Sequence, residues 1–199
     1  MHRRLAPAVL AAVLVLQPAA VLPAFAGVPT DQIRAHVDAI YRAAGGQGSV
    51  RSAEQAPEAK KIMAEMFDWT EMAKNALGSH WAELGERERA EFVRLFSTLV
   101  ERAYVSKIHL VDADRFQYLG DSVRGNGALV RTKVFTKHDA EIPVDYRVRL
   151  QDGTRWKVYD VDVDSVSLVD NYRRQFNSII TRSSYDSLLS QLKQKVSRG

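Results

Sequence analysis

Residues 158–180 read VYDVDVDSVSLVDNYRRQFNSII, and the fold turns on this stretch. Its first part alternates apolar and acidic positions, the period of a strand with one covered face. From Leu168 onward the period changes. Leu168, Val169, Tyr172, Phe176, Ile179 and Ile180 recur at helical spacing and line one face. Neither Gly nor Pro separates the two parts. A strand therefore passes into a helix within a few residues, with Ser167 as a candidate N-cap and Asp170 three positions on. Two apolar faces joined so closely must share one interior.

Upstream, the strand period continues. RFQYLG (115–120), ALVRTKVFTKH (128–138), EIPVDYRVRLQ (141–151) and TRWKVYDVDV (154–163) alternate, and GDSVRGNG, KHDA and QDGT lie at the joints. Asp152-Gly153 is a hairpin signal. Val130, Thr132 and Val134 share the covered side of the second strand, opposite Arg131, Lys133 and Lys137. In the third, Ile142, Val144, Tyr146, Val148 and Leu150 oppose Glu141, Asp145, Arg147 and Arg149. Four antiparallel strands with one apolar face need helices against that face.

Those helices flank the strands. Ile33, Val37, Ile40 and Tyr41 have helical spacing before Gly45, Gly46 and Gly48. APEAKKIMAEMF (56–67) follows, then DWTEMAKNALG (68–78), with Asp68 as a cap and Gly78 as a stop. GERERAEFVRLFSTLVERAYVSKI (85–108) carries the widest stripe: Phe92, Leu95, Phe96, Leu99, Ala103 and Tyr104. After TRSS, Leu188, Leu189, Leu192 and Val196 mark a last amphipathic helix. The expected class is α+β.

The start of the chain reads differently. MHRR precedes a run without charge that closes on Ala24-Phe25-Ala26, the form of a secretory signal peptide cleaved after Ala26. Its loss removes Arg3 and Arg4 and no acid, so the formal charge falls from +4 to +2. The expected organisation is a cleaved signal, 1–26, and a single domain, 27–199, with a helical part (27–110) and a sheet with C-terminal helices (111–199). The chain has no cysteine, which excludes disulfides, thiolate nucleophiles and thiolate metal sites. Export to a bacterial periplasm fits, and a nucleic-acid partner does not.

Catalytic patterns are missing. His36, His80, His109 and His138 stand in no metal-ligand spacing, and His2 leaves with the signal. Asp160, Asp162 and Asp164 alternate without the glycine of a calcium loop. Asp160 follows the covered positions Trp156 and Val158 and is placed to bond the helix starting at Ser167. No G-x-S-x-G elbow or phosphate loop occurs. What remains is apolar surface, which either fills a core or lines a cavity for an apolar ligand.

FDWTEMAKNALGSHW (67–81), ERERAEFVRLFSTLVERAY (86–104), EIPVDYRVRL (141–150), DGTRWKVYDVDVDSVSLVDNYRRQFNSII (152–180) and YDSLLSQLKQK (185–195) occur in this order. Together they resemble the MlaC family, also called the toluene-tolerance family: periplasmic phospholipid-binding proteins of the Mla (maintenance of lipid asymmetry) pathway. The resemblance covers residues 28–196 and departs at Ser165, where the family pattern has Gly. It implies a curved four-stranded sheet wrapped by helices, NTF2-like, with an apolar cavity between the layers. It implies a phospholipid carried with its acyl chains inside, no cofactor and no reaction. The implied partners are an inner-membrane ABC transporter with its MCE-domain subunit and an outer-membrane lipoprotein–porin complex, met by a monomer. Acyl contacts are then expected at Phe96, Leu99, Tyr104, Val130, Val134, Ile142, Val144, Tyr146, Val148, Val158, Leu168 and Tyr172. Arg173 and Arg174 are candidates for the headgroup, although a structural role fits Arg173 as well. The basic residues Arg131, Lys133, Arg147 and Arg149 form either a solvated face or a docking face. An enzyme with a similar cavity for a small apolar substrate and a non-carrier adaptor remain as alternatives.

Overall fold

The computed structural model describes residues 29–43, 57–110, 113–138 and 140–198, without the side chains of 104–110, 113–114 and 198. The expected signal peptide, the glycines after the first helix, and the side chains of Tyr104 and His109 lie outside the described residues. Alternation becomes strand, and stripe becomes helix. The helices are α1 (Pro29–Ala43), α2 (Pro57–Met66), α3 (Trp69–Leu77) and α4 (Glu86–Leu110), with a 3-10 turn over Gly78–Glu83 between α3 and α4. The strands β1 (Ala113–Arg124), β2 (Gly127–Thr136), β3 (Glu141–Gln151), β4 (Arg155–Val163) and β5 (Val166–Ser167) follow, then α5 (Leu168–Arg182) and α6 (Tyr185–Arg198). No described helix is long and apolar enough to cross a membrane.

The sheet is antiparallel, and its strands lie side by side in chain order. It has five strands rather than four. Val166 and Ser167 pair with Val163 and Asp162, so the chain turns back on β4 before entering α5. Asp164 and Ser165 make that turn at φ of 51° and 64°, a left-handed conformation that glycine adopts with least strain. The turn-like composition of 120–124 is also overridden. β1 runs on to Arg124 because β2 supplies hydrogen-bonding partners along its whole length, and a register shift between Tyr118 and Gly120 absorbs the irregularity. Asp152 and Gly153, both left-handed, close the β3–β4 hairpin as their composition predicts.

Helix ends follow local chemistry. Asp68 accepts the Glu71 N–H at 3.0 Å to cap α3. Ser167 accepts the Asp170 N–H at 3.0 Å to cap α5. Helix α1 is started from the sheet: Asp121 of β1 accepts both the N–H and the hydroxyl of Thr30, at 3.1 and 2.6 Å. Its neighbour Gln32 donates to Thr154 O and accepts from Trp156 N–H, tying the helix to β4.

One apolar cluster joins the helices to the inner face of the sheet. Helix α1 lies against β1, β2 and β4, whereas α2, α3 and α5 lie against β4. Helix α4 packs on α3 and α6. Among the described residues no helix backbone approaches the middle strand, β3, comparably closely.

Candidate functional site

The inner face of the sheet is continuous. Register sets Val130 beside Tyr146, Thr132 beside Val144 and Val134 beside Ile142 on β2 and β3. It sets Val144 beside Val163, Tyr146 beside Val161 and Val148 beside Val158 on β3 and β4. Seven of the expected contact residues (Val130, Val134, Ile142, Val144, Tyr146, Val148 and Val158) therefore share one surface. Thr132 interrupts its apolar character only formally, because its hydroxyl donates to Val144 O at 2.5 Å.

Above this floor, α4 and α5 meet through rings. Phe96 stands edge-on to Tyr172 at 5.4 Å and to Phe176 at 5.9 Å, and Phe92 stands edge-on to Phe176 at 5.7 Å. These edge-to-face contacts fix the two helices against each other. Burial raises the Tyr172 hydroxyl above its ordinary pKa. Phe96 is fully buried, while Leu99, Leu168 and Tyr172 are partly buried against the core.

Burial is graded along the floor. Val148, Trp156, Val158 and Val130 have no exposure, and Tyr146 has 2%. Val134 and Val144 keep 8%, and Ile142 is half-buried. Phe96, Val130, Val148 and Val158 thus reach a ligand only if their present neighbours part. Val134, Ile142, Val144, Leu99, Leu168 and Tyr172 already retain access.

Pattern reading missed Val161 and Val163, which share the floor. A bulge opposite Arg147 and Val148 shifts the phase of β4, and no Gly or Pro marks it. The same bulge places Asp160. Its carboxylate accepts the Ser167 hydroxyl at 2.6 Å, the Val169 N–H at 3.0 Å and the Val161 N–H at 2.8 Å. The expected bond to the start of α5 is present. Desolvation raises the Asp160 pKa, and these three donors oppose that rise. The Arg147 guanidinium bonds Asp162 at 2.7 Å and lies 3.8 Å from Asp160, so the aspartates serve an ion-pair cluster at the sheet margin.

The buried polar side chains among the described residues, Thr30, Thr132 and Asp160, all have partners. No group of three histidines, aspartates or glutamates among the described residues could hold a metal ion. His80 bonds Asn177 at the surface, and burial lowers the pKa of His36. Arg173 donates from Nε to Asn75 O at 2.6 Å and pairs with Asp170 at 3.2 Å, so it ties α5 to the end of α3. Arg174 lines a surface cleft of about 200 Å³ with Leu77, Gly78, Ser79 and Asn177.

The family model described as MlaC protein matches residues 35–194, most of the chain. The chain belongs to the MlaC family. It is 21% identical over 126 residues to the intermembrane phospholipid transport system binding protein MlaC of Haemophilus influenzae. That match spans 61% of this chain and 59% of that protein. The fold is that of a phospholipid-binding protein from Ralstonia solanacearum, solved in complex with a phospholipid. The two superpose with a TM-score of 0.73 at 19% identity, over 86% of this chain and 98% of that one. In MlaC-family terms, the α+β class and the curved antiparallel sheet expected from sequence are as found; the strand count is corrected to five.

Proposed function

We propose that this protein is a periplasmic phospholipid carrier that shuttles lipid between the outer and inner membranes. The acyl chains would lie between the sheet floor and helices α4 and α5, with the headgroup toward solvent. Membership of the MlaC family supports the class of cargo. The observation that carries the placement is the middle of the sheet. The inner face of β3 is apolar from Ile142 to Leu150, yet the helices approach the sheet at β1, β2 and β4. A side-chain layer without a helix backbone pressed on it can part at small cost, whereas a helix docked on the strand cannot.

The energetics require such shelter. At about 0.8 kcal/mol per methylene, two acyl chains represent roughly 20 kcal/mol of hydrophobic transfer. A bare lipid would not leave a bilayer at a useful rate. The reading assigns no cofactor and no reaction, because the polar groups of the interior are engaged in capping and sheet bonding. It places the mature chain in the periplasm after cleavage behind Ala26. The membrane-bound partners of the reading are an ABC transporter with an MCE-domain subunit on the inner side and a lipoprotein–porin complex on the outer side. The carrier itself works as a monomer.

Organic extraction of the purified mature protein, followed by mass spectrometry, tests this reading. Near-stoichiometric phospholipid is expected. A lipid-free preparation that takes up no phospholipid from vesicles would refute it.

A further inference from the structure

The outer face of the sheet carries a groove that lipid carriage leaves unused. It encloses about 450 Å³ where β1 and β2 meet their hairpin, with Leu129 and Gly127 at its floor, Tyr159 as a wall, and Arg124, Arg131 and Arg147 around it. Most basic residues of this face are neutralised. Lys133 pairs with Glu141 at 2.8 Å, Arg147 with Asp162 at 2.7 Å, and Arg149 with Glu71 at 3.3 Å. Arg124 and Arg131 differ. Neither has a carboxylate within ion-pairing distance among the described residues, and the bond from Arg131 Nη2 goes to the neutral hydroxyl of Ser122. Both are exposed, whereas Leu129 and Tyr159 are half-buried. Two uncompensated guanidinium groups above a small apolar floor form a site of mixed chemistry.

We propose that this groove docks an acidic, extended peptide segment of a partner protein, with its carboxylates on Arg124 and Arg131 and an apolar side chain on Leu129. Guanidinium forks match carboxylates in two-bonded geometry, and opposite potentials steer encounter. A concave site favours a chain segment over a flat bilayer. The acids on the same face (Glu141, Asp162 and Glu71) would repel an anionic membrane brought flush against the sheet. Gly127 keeps the floor open. A Cβ built there would sit 3.7 Å from Arg124 O and 3.9 Å from Val148 O, so a side chain fits without strain and would fill the groove.

The test uses the full mature protein, a fluorescein-labelled peptide of alternating Glu and Leu, its Gln-for-Glu counterpart, and vesicles of equal parts phosphatidylglycerol and phosphatidylethanolamine. Fluorescence anisotropy should show wild-type binding to the Glu peptide and none to the Gln peptide. Arg124→Glu with Arg131→Glu should weaken binding about tenfold or more. Gly127→Leu, which leaves every charge in place, should weaken it comparably. Wild-type affinity in either variant would overturn the proposal, as would equal binding of the Gln peptide, or binding to vesicles but not peptide. Neither variant touches the inner face, so both should retain the wild-type lipid content. Loss of docking with cargo intact thereby separates this inference from the carrier reading.

Discussion

Val148 and Val144 sit on the same face of the same strand, one turn of alternation beyond a shared neighbour, yet their surroundings differ. Val148 has no exposure, and the strand beside it is pinned from several sides. Asp68 N–H donates to Val158 O at 2.8 Å, Gln151 donates to Asp68 at 2.5 Å, Gln32 accepts from Trp156 N–H, and the Lys157 ammonium reaches the carbonyl of Glu65. Val144 keeps 8% exposure, and its neighbour Ile142 keeps more. Identical side chains in one strand thus face a sealed floor at one end and a floor with access at the other. Strand periodicity assigns a face; the helices above decide whether that face is closed.

Substitution at the two valines should separate the ends. Val148→Arg places a charge where no polar partner is available, at a cost of roughly several kcal/mol. We expect it to abolish the cooperative urea transition. Val144→Arg can extend toward the open end, so the protein should fold. Recovered phospholipid should then fall to about a tenth of wild type, since a guanidinium among acyl chains is poorly solvated. If both variants unfold alike, the ends do not differ. If folded Val144→Arg keeps its lipid by mass spectrometry, the third strand does not line the site.

The junction at the β4 margin gives smaller effects. Asp160→Ala strands the N–H groups of Val161 and Val169 and should lower unfolding free energy by about 2 kcal/mol. Wild-type stability at this site also depends on pH. The folded pKa of Asp160 lies above its ordinary value of 3.8, so the folded state binds the proton more tightly than the unfolded chain. The associated stability is full below the ordinary value and is lost as pH rises through the folded pKa. Urea midpoints of wild type and Asp160→Asn, compared across that window, should diverge, with wild type losing ground as pH rises; parallel curves would remove the effect. The smallest change is expected from Ser165→Gly. Relief of left-handed strain, set against the greater freedom of glycine in the unfolded chain, should stabilise by about 0.5 kcal/mol. A lower thermal midpoint would contradict this.

Much of the architecture was legible in the residues. The alternation of β2 and β3 gave their buried faces, and Asp68, Ser167 and Asp152-Gly153 gave a cap, a cap and a turn. The extension of β1 past Gly120 was hidden, because Gly-Asp-Ser favours turns locally and only pairing with β2 outweighs it. The two-residue β5 was hidden for the same reason. Val161 and Val163 were lost to a bulge without a composition signal. Among the expected contacts, the surface they share could be read from period alone. Which of them stay accessible could not, because helices distant in sequence set that property.

The order of the strands also bears on how the protein assembles. Each strand pairs with its neighbour along the chain, so hairpins close short loops with little entropic loss. The clasp between Gln32 and the β3–β4 hairpin spans most of the polypeptide. The meander should therefore gain amide protection before α1 does in pulsed hydrogen exchange, leaving the greasy side of a newborn sheet uncovered until its N-terminal lid arrives.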